Sequence, residues 1–282
     1  METTQTSQTN FYIETEPGVM LYVTDYGEGK PVILIHGWPL SGAMWEYQTE
    51  ALITAGCRVI AYDRRGFGQS SKPREGYDYT TLAFDLKTII DELALEDVAL
   101  VGFSMGGGEV VRYFSHFGGV HVTKAVLISS VTPYMLKTDD NPDATPQDVF
   151  DGIVKKIQED RMDFLAGFSK DFYGVGMLNR PVSDAFLQND LMIAASASPH
   201  ATLECARAFS TTDFRAEMES LTVPTLVIHG DSDKTVPIES SGEKTAKMIP
   251  DCRYLVYGGA PHGLFYTEKE RLNKDLIEFI RS

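Results

Sequence analysis

A serine between two glycines is the first residue whose surroundings indicate chemistry. Residues 102–106, GFSMG, match the pattern G-x-S-x-G, with the apolar run VALV before them and a helical pattern after them. The two glycines permit a sharp strand-to-helix turn, which would lift the hydroxyl of Ser104 above the sheet edge at a helix N-terminus. This context predicts that Ser104 is a nucleophile. The alternative is a structural glycine-rich turn whose serine only caps the helix.

A serine hydroxyl is a weak nucleophile until a base accepts its proton. Of the six histidines, His262 lies in GGAPHG, between the last predicted strand and the last predicted helix. A base can reach the serine from this loop, and the chain order Ser, Asp, His then fits a hydrolase triad. A turn histidine without a catalytic role is the alternative. His36 and His229 each end an apolar strand before a glycine, so we expect them to hold loops by hydrogen bonds.

The third member of a triad must orient the imidazole and stabilise its charged form. Two carboxylates follow the apolar run TLVIHG, and they are Asp231 and Asp233. We predict Asp233, because it lies further into the loop and Pro237 helps to start the next helix. Asp231 is the alternative acid. If Asp233 is the acid, Asp231 would stabilise the loop through Asx-type hydrogen bonds.

Acyl transfer also needs N–H donors directed at the developing oxyanion. Met105, the residue after the predicted nucleophile, offers one backbone N–H. The loop HGWP offers the second at Trp38, since Pro39 has no N–H. Pro39 also biases Trp38 away from helical angles, which should fix the direction of the Trp38 carbonyl. An acceptor would then lie beside the acyl group as well as a donor.

Three phenylalanines spaced four apart share one helix face, and they are Phe164, Phe168 and Phe172. Such a stripe is typical of ordinary core. The alternative is a partly exposed pocket wall above Ser104, with Trp38 opposite. The remaining residues of the predicted pocket are Pro39, Tyr134, Met135, Val236 and Ile238. An apolar cavity of this kind would suit a small uncharged acyl group.

Short β-type runs alternate with amphipathic helical stretches, which predicts an α/β fold with a mostly parallel sheet flanked by helices. Several runs are apolar on both faces, as central strands covered by helices are. The eight predicted strands span residues 11–15, 20–26, 31–35, 58–62, 98–102, 125–130, 225–229 and 253–257. The predicted helices span residues 41–55, 80–93, 104–117, 239–249 and 267–281. The first two strands are close enough to form a hairpin.

No strand is predicted between residues 131 and 223, where helical periodicity is interrupted by prolines. A simple βαβ crossover needs far fewer residues, so this segment is read as a helical insertion. We predict a hydrolase core of residues 1–130 and 224–282, with a helical lid of residues 131–223. The lid would lie over the carboxyl ends of the strands, where open α/β sheets bind ligands.

Composition restricts the partners. The chain has 282 residues, 43% of them hydrophobic and 23% charged, with a formal net charge of −15. Such an acidic chain is a poor ligand for nucleic acid or anionic membranes, although local groups could still bind a small anionic substrate. Three scattered cysteines argue against disulfides and zinc. The polar N-terminus lacks signal-peptide features, so a cytoplasmic protein is expected, and the sequence contains no metal-binding motif.

Five motifs, in this order and spacing, resemble one subgroup of α/β-hydrolases: HGWP, YDRRGFGQS, GFSMGGG, VIHGDSD and APHG. The subgroup comprises bacterial aryl esterases, perhydrolases and cofactor-free haloperoxidases, and the likeness runs from about residue 11 to the end. It implies Ser104 as nucleophile, His262 as base and Asp233 as acid, with Trp38 and Met105 as oxyanion donors. It also makes a homo-oligomer possible, because members of the subgroup are often oligomers.

In this subgroup, a Trp-Pro pair in the oxyanion loop is associated with perhydrolysis, and Trp38-Pro39 matches it. The resemblance implies hydrogen peroxide as a co-substrate, bound through the Trp38 carbonyl. Peroxide would convert the acyl-enzyme to a peracid, which could oxidise halide away from the enzyme without haem or metal.

The leading hypothesis is a serine hydrolase of small carboxylic esters, or of the acids with peroxide. A γ-lactamase or amidase with the same triad and a slow-turnover ligand sensor are the alternatives. Epoxide hydrolase and dehalogenase chemistry are disfavoured, because those α/β-hydrolases have aspartate where this chain has Ser104.

Overall fold

The computed structural model describes residues 9–282, and most of the polar N-terminal segment discussed above lies outside them. One sheet has the strand order β1-β2-β4-β3-β5-β6-β7-β8. Its eight strands within the described residues are β1 (Thr9–Glu16), β2 (Val19–Tyr26), β3 (Lys30–Ile35), β4 (Cys57–Tyr62), β5 (Val98–Phe103), β6 (Val122–Ile128), β7 (Thr225–Gly230) and β8 (Cys252–Tyr257). Each predicted strand is present, with its ends shifted by at most a few residues.

Helices connect these strands. They are α1 (Glu46–Thr54), α2 (Tyr79–Glu92), α3 (Met105–Phe117), α4 (Gln147–Phe172), α5 (Asp184–Ala195), α6 (Pro199–Thr211), α7 (Gly242–Met248), α8 (Leu264–Thr267) and α9 (Lys269–Arg281). Short 3-10 helices span Gly42–Trp45 and Arg215–Ser220. None of the helices formed by residues 9–282 is sufficiently long and apolar to span a bilayer.

The sheet is parallel except at one edge. β1 and β2 form an antiparallel hairpin, and β2 also pairs antiparallel with β4. From β4 onward every neighbouring pair is parallel, as in the pairing of β3 with both β4 and β5. This confirms the predicted eight-stranded, mostly parallel sheet. The carboxyl ends of the parallel strands therefore meet at one edge, where ligand sites of such sheets form.

Alternation along β3 shows why the apolar runs form central strands. Ile33 and Ile35 belong to the apolar core that includes Leu86 of α2, whereas Val32 and Leu34 belong to the opposite core. These four side chains are fully buried. Because side chains alternate along a strand, a strand covered by helices on both faces must be apolar throughout.

The segment between β6 and β7 is helical, with α4, α5, α6 and the second 3-10 helix. As predicted, it adds no strand to the described sheet, although two isolated β-bridges occur in it. α4 is interrupted at Asp160, whose φ of −152° and ψ of 96° are non-helical. The Asp160 carboxylate accepts the N–H groups of Met162 and Asp163, and so caps the second half of the helix. The division into core and lid stays a prediction.

Candidate active site

Ser104 occupies the turn between β5 and α3. Its φ of 53° and ψ of −117° lie in a region that residues with a Cβ rarely adopt. The flanking glycines make this turn sterically feasible. A Cβ on Gly102 would lie 2.5 Å from the Gly106 carbonyl oxygen, and one on Gly106 would lie 2.5 Å from the Ile35 oxygen. The G-x-S-x-G spacing is therefore required by close backbone approach on both sides of the serine.

The three residues predicted as a triad form one hydrogen-bonded chain. Ser104 Oγ lies 3.0 Å from His262 Nε2, and His262 Nδ1 lies 2.6 Å from Asp233 Oδ2. All three side chains are buried. With the imidazole proton on Nδ1, bonded to the carboxylate, Nε2 is free to accept the serine proton. This arrangement can perform general-base activation of a nucleophilic hydroxyl.

The surroundings of Asp233 hold its carboxylate in the ionised state. Oδ1 accepts the N–H groups of Thr235 at 2.9 Å and Val236 at 2.8 Å. Burial alone would raise the pKa of Asp233, but the charge of His262 and hydrogen bonds from His229 and His262 outweigh burial and lower it well below its ordinary value. A carboxylate held in this way can stabilise an imidazolium beside it.

Asp231, the alternative acid, has a different environment. It is exposed, and its Oδ1 accepts the N–H of Gly259 at 2.6 Å. Asp231 therefore joins the loop after β7 to the loop that presents His262.

His229 is a neighbour of the triad that the sequence did not reveal as such. Its Nε2 lies 3.2 Å from Asp233 Oδ2 and 2.9 Å from the carbonyl oxygen of Val236. Its Nδ1 is buried without a hydrogen-bond partner in the described part of the chain, and a Cβ on Gly242 would lie 2.6 Å from it. A proton on Nδ1 would be unsatisfied, so the proton belongs on Nε2 and points towards Val236 and Asp233. The expected role of holding a loop thus extends to the predicted acid.

The loop that contains Trp38 passes directly beside the serine. A Cβ on Gly37 would lie 2.6 Å from the Phe103 ring and 3.1 Å from Ser104 Cβ, so only glycine fits this approach easily. The Trp38 indole Nε1 donates to the Thr202 carbonyl oxygen at 3.0 Å, and the Trp38-Pro39 peptide is cis. Met105 is the first residue of α3, and its N–H therefore lacks an intrahelical acceptor. Both predicted oxyanion donors thus belong to segments that adjoin Ser104.

A buried ion pair braces this loop against α3. Arg64, from the DRRG motif, pairs with Glu109 of α3, and both side chains are almost inaccessible to solvent. Arg64 Nη2 donates to the His36 carbonyl oxygen at 2.7 Å, and the Arg64 N–H donates to His36 Nε2 at 2.9 Å. Tyr62 donates to the second Glu109 oxygen at 2.6 Å. Burial and the nearby Arg64 charge lower the pKa of His36 well below its usual value, so His36 acts as a neutral acceptor.

A small, mostly apolar cavity of about 100 Å³ opens onto Ser104 and His262. Four predicted pocket residues line it, namely Trp38, Met135, Phe168 and Val236. Residues that were not predicted as pocket residues complete the lining: Val131, Thr145, Val149, Phe150, Ile153, Phe209, Lys234, Thr235 and Pro237. A larger surface groove between β2 and α1, about 780 Å³, contains none of the triad, so size alone does not identify the site.

The other five predicted pocket residues are not part of this lining. Phe164 packs on the Trp38 ring at 6.2 Å, and Phe172 contacts the His262 ring edge-on at 4.7 Å. The Tyr134 ring lies under the Arg215 guanidinium at 5.0 Å. Pro39 and Ile238 are buried. The phenylalanine stripe of α4 is thus divided, with Phe168 at the cavity and its neighbours in packing contacts.

Comparison with known proteins identifies the family of this chain. Residues 30–269 match the family model of the alpha/beta hydrolase fold. The chain belongs to the alpha/beta hydrolase family, which confirms the resemblance seen in its motifs.

Within the family it groups with non-haem haloperoxidases, esterases and perhydrolases. It is 39% identical to the non-heme chloroperoxidase CPO-A1 of Kitasatospora aureofaciens, over 94% of this chain and 98% of that protein. It is 38% identical to the bifunctional esterase/perhydrolase DCH of Acinetobacter calcoaceticus, over 96% and 99% respectively. The crystal structure of a bromoperoxidase from Bacillus anthracis is similar with a TM-score of 0.94 at 46% identity, covering 97% of this chain and 100% of that one. The chain is an enzyme of the hydrolase/perhydrolase type.

Proposed function

We propose that the chain is a serine hydrolase that cleaves small carboxylic esters through an acyl-enzyme on Ser104. The observation that supports this proposal is the hydrogen-bonded chain from Ser104 Oγ through His262 to Asp233. It faces a small, mostly apolar and partly enclosed cavity, which could hold an acyl group away from bulk water.

In acylation, Ser104 Oγ attacks the ester carbonyl while its proton passes to His262 Nε2. Asp233 stabilises the resulting imidazolium, and the N–H groups of Trp38 and Met105 donate to the oxyanion. Collapse of the tetrahedral intermediate breaks the bond to the alcohol oxygen, which takes the proton from His262. The acyl group then stays on Ser104.

In deacylation, water or hydrogen peroxide attacks the acyl carbonyl and gives its proton to His262. Release of Ser104, which recovers that proton, yields a carboxylic acid with water and a peracid with peroxide. The Trp38 carbonyl is the proposed acceptor for the second peroxide hydrogen. A released peracid would transfer one oxygen atom to halide in solution, giving hypohalite and the acid. The esterase/perhydrolase and haloperoxidase activities named for the relatives support this partition.

The size of the cavity favours short acyl groups. Its volume of about 100 Å³ is well below the roughly 300 Å³ at which sites for drug-sized ligands begin. The ring of Trp38 is fixed on one side by Phe168 at 5.2 Å and on another by Phe209 at 5.4 Å. A longer acyl chain would have to displace these rings.

The test is initial-rate hydrolysis of 4-nitrophenyl acetate with and without hydrogen peroxide, in the wild type and in Ser104→Ala. We expect turnover by the wild type, diversion of the acyl product to peracetic acid by peroxide, and a loss of at least about a thousandfold in the variant. Ser115→Ala is the matched control, because Ser115 lies on the same helix α3 and its hydroxyl binds Glu217.

Two results would contradict the proposal. A Ser104→Ala variant as active as the wild type would place the nucleophile elsewhere. A single burst of one nitrophenolate per chain without steady-state turnover would instead indicate a slow ligand sensor.

A further inference from the structure

One cationic side chain stands at the candidate active-site cavity. Lys234 directly follows Asp233, lines the cavity and is exposed. Its backbone is fixed, because Asp233 Oδ1 accepts the N–H groups of the two following residues, Thr235 and Val236. The position of Lys234 is therefore set by the same carboxylate that orients His262.

Lys234 has no carboxylate partner among the residues that the structure describes. Within residues 9–282, neither the ion pairs nor the side-chain hydrogen bonds include its ammonium group, whereas Lys244, on the neighbouring helix α7, binds Asn141 and approaches Asp143. The described lining of the cavity also contains no aspartate or glutamate. Apart from His262, Lys234 is the ionisable side chain of this lining, in a protein whose net charge is −15.

We propose that this site prefers esters whose acyl chain ends in a carboxylate, such as half-esters of short dicarboxylic acids. This inference rests on the proposed ester hydrolysis. The ester carbonyl would occupy the oxyanion position beside Ser104, and the carboxylate would remain at the solvent-exposed side of the cavity, on Lys234. We place the carboxylate on the acyl side because the alcohol departs in acylation, whereas the acyl group keeps its contact with Lys234 through both acylation and deacylation.

The direction of the charge preference follows from the balance of two fields. The acidic surface as a whole repels an anion, but at ordinary salt this repulsion is screened beyond about 8 Å. The Lys234 ammonium would act within that range if it reaches the carboxylate of the bound ester. A solvated ion pair changes affinity by up to about fivefold, so the expected preference is modest and measurable.

The experiment compares methanol release from monomethyl glutarate with that from its neutral monoamide, methyl glutaramate, which has nearly the same size. We expect the wild type to show a higher kcat/KM for the anionic ester. Lys234→Gln should lower the anionic-to-neutral ratio about two- to fivefold, and Lys234→Glu should lower it further. Lys247→Gln, which removes an exposed lysine of α7 that does not line the cavity, is the charge-matched control and should leave the ratio unchanged. Added salt should reduce the ratio only where Lys234 is present.

The outcomes separate this inference from the proposed function. Equal kcat/KM for the two esters in the wild type, or a ratio that Lys234→Gln leaves unchanged, would overturn the anion preference while ester hydrolysis stands. An equal fall in Lys247→Gln would attribute the effect to net charge and would also overturn it. If the wild type hydrolysed neither glutarate ester and also failed to hydrolyse 4-nitrophenyl acetate, the proposed function itself would be overturned.

Discussion

The ion pair between Arg64 and Glu109 allows the frame of the site to be tested by a change that is almost purely one of charge. Glu109→Gln keeps the shape of the side chain and leaves the Arg64 guanidinium buried without a counter-charge. Both side chains are at most 1% exposed, so water cannot replace the lost partner. Breaking a buried pair on one side costs about 3–5 kcal/mol. At about 2 °C per kcal/mol for a chain of this size, the midpoint of thermal unfolding should fall by roughly 6–10 °C.

The assay is a double-mutant cycle in urea with Glu109→Gln, Arg64→Met and the combined variant. Removing Arg64 as well eliminates the uncompensated charge. The main remaining loss is the hydrogen bond to the His36 carbonyl, which costs about 1–3 kcal/mol of stability. The combined variant should therefore be more stable than the sum of the two single losses predicts, by at least about 1 kcal/mol. Additive losses, or a Glu109→Gln protein within about 1 kcal/mol of the wild type, would refute the argument that these two charges depend on each other.

Four further predictions concern Asp233, His229 and Phe209. Asp233→Asn should lower kcat by about 10⁴ with KM little changed, since the imidazole loses its orienting acceptor. Steady-state kinetics on a short ester measure this, and a retained kcat would contradict it. Because the folded-state pKa of Asp233 is lowered, its carboxylate contributes stability above its ordinary pKa near 4, and loses it as the pH falls towards the folded value. Urea melts from pH 7 to pH 3 should thus show a smaller acid loss for Asp233→Asn than for the wild type, and parallel curves would contradict this. His229→Leu should lower kcat more than His229→Gln does, because only glutamine can still donate towards Asp233, and equal values would show that His229 only fills space. Phe209→Ala should make the preferred acyl chain one or two carbons longer, because it enlarges the cavity, and each methylene should change kcat/KM by about 10-fold or more. An unchanged preference across a series of chain lengths would contradict the proposed pocket wall.

The sequence was most informative where one physical constraint acts locally. The apolar runs at β3, β5 and β7 had to be central strands, because their side chains are buried on both faces. The glycine spacing around Ser104 determined the turn for steric reasons. The helix boundary at this turn was off by a single residue, since the predicted helix began at 104 but Ser104 has a positive φ and α3 begins at Met105.

Contacts between distant segments were harder to predict. The role of His229 beside Asp233 depends on the turn that follows β7, although its position four residues before Asp233 was a usable signal. The cavity lining supplied by Phe150, Ile153 and Phe209 depends on how α4 and α6 lie over the sheet. Helical periodicity indicates which residues share a face, but not which surface that face covers. Of the nine predicted pocket residues, the structure therefore brings four to the cavity beside the triad, and the rest of the lining comes from residues that were not predicted.

The central claim is that Ser104 forms the acyl-enzyme, and active-site phosphonylation tests it most directly. The wild type, Ser104→Ala and Ser115→Ala would be treated with a fluorophosphonate, and the adducts measured by intact mass and peptide mapping. We predict one adduct per chain, on the peptide that contains Ser104, with loss of esterase activity in proportion to labelling. Ser115→Ala should label as the wild type does, and Ser104→Ala should not label. An adduct at another residue, or full esterase activity in a stoichiometrically labelled protein, would contradict the account.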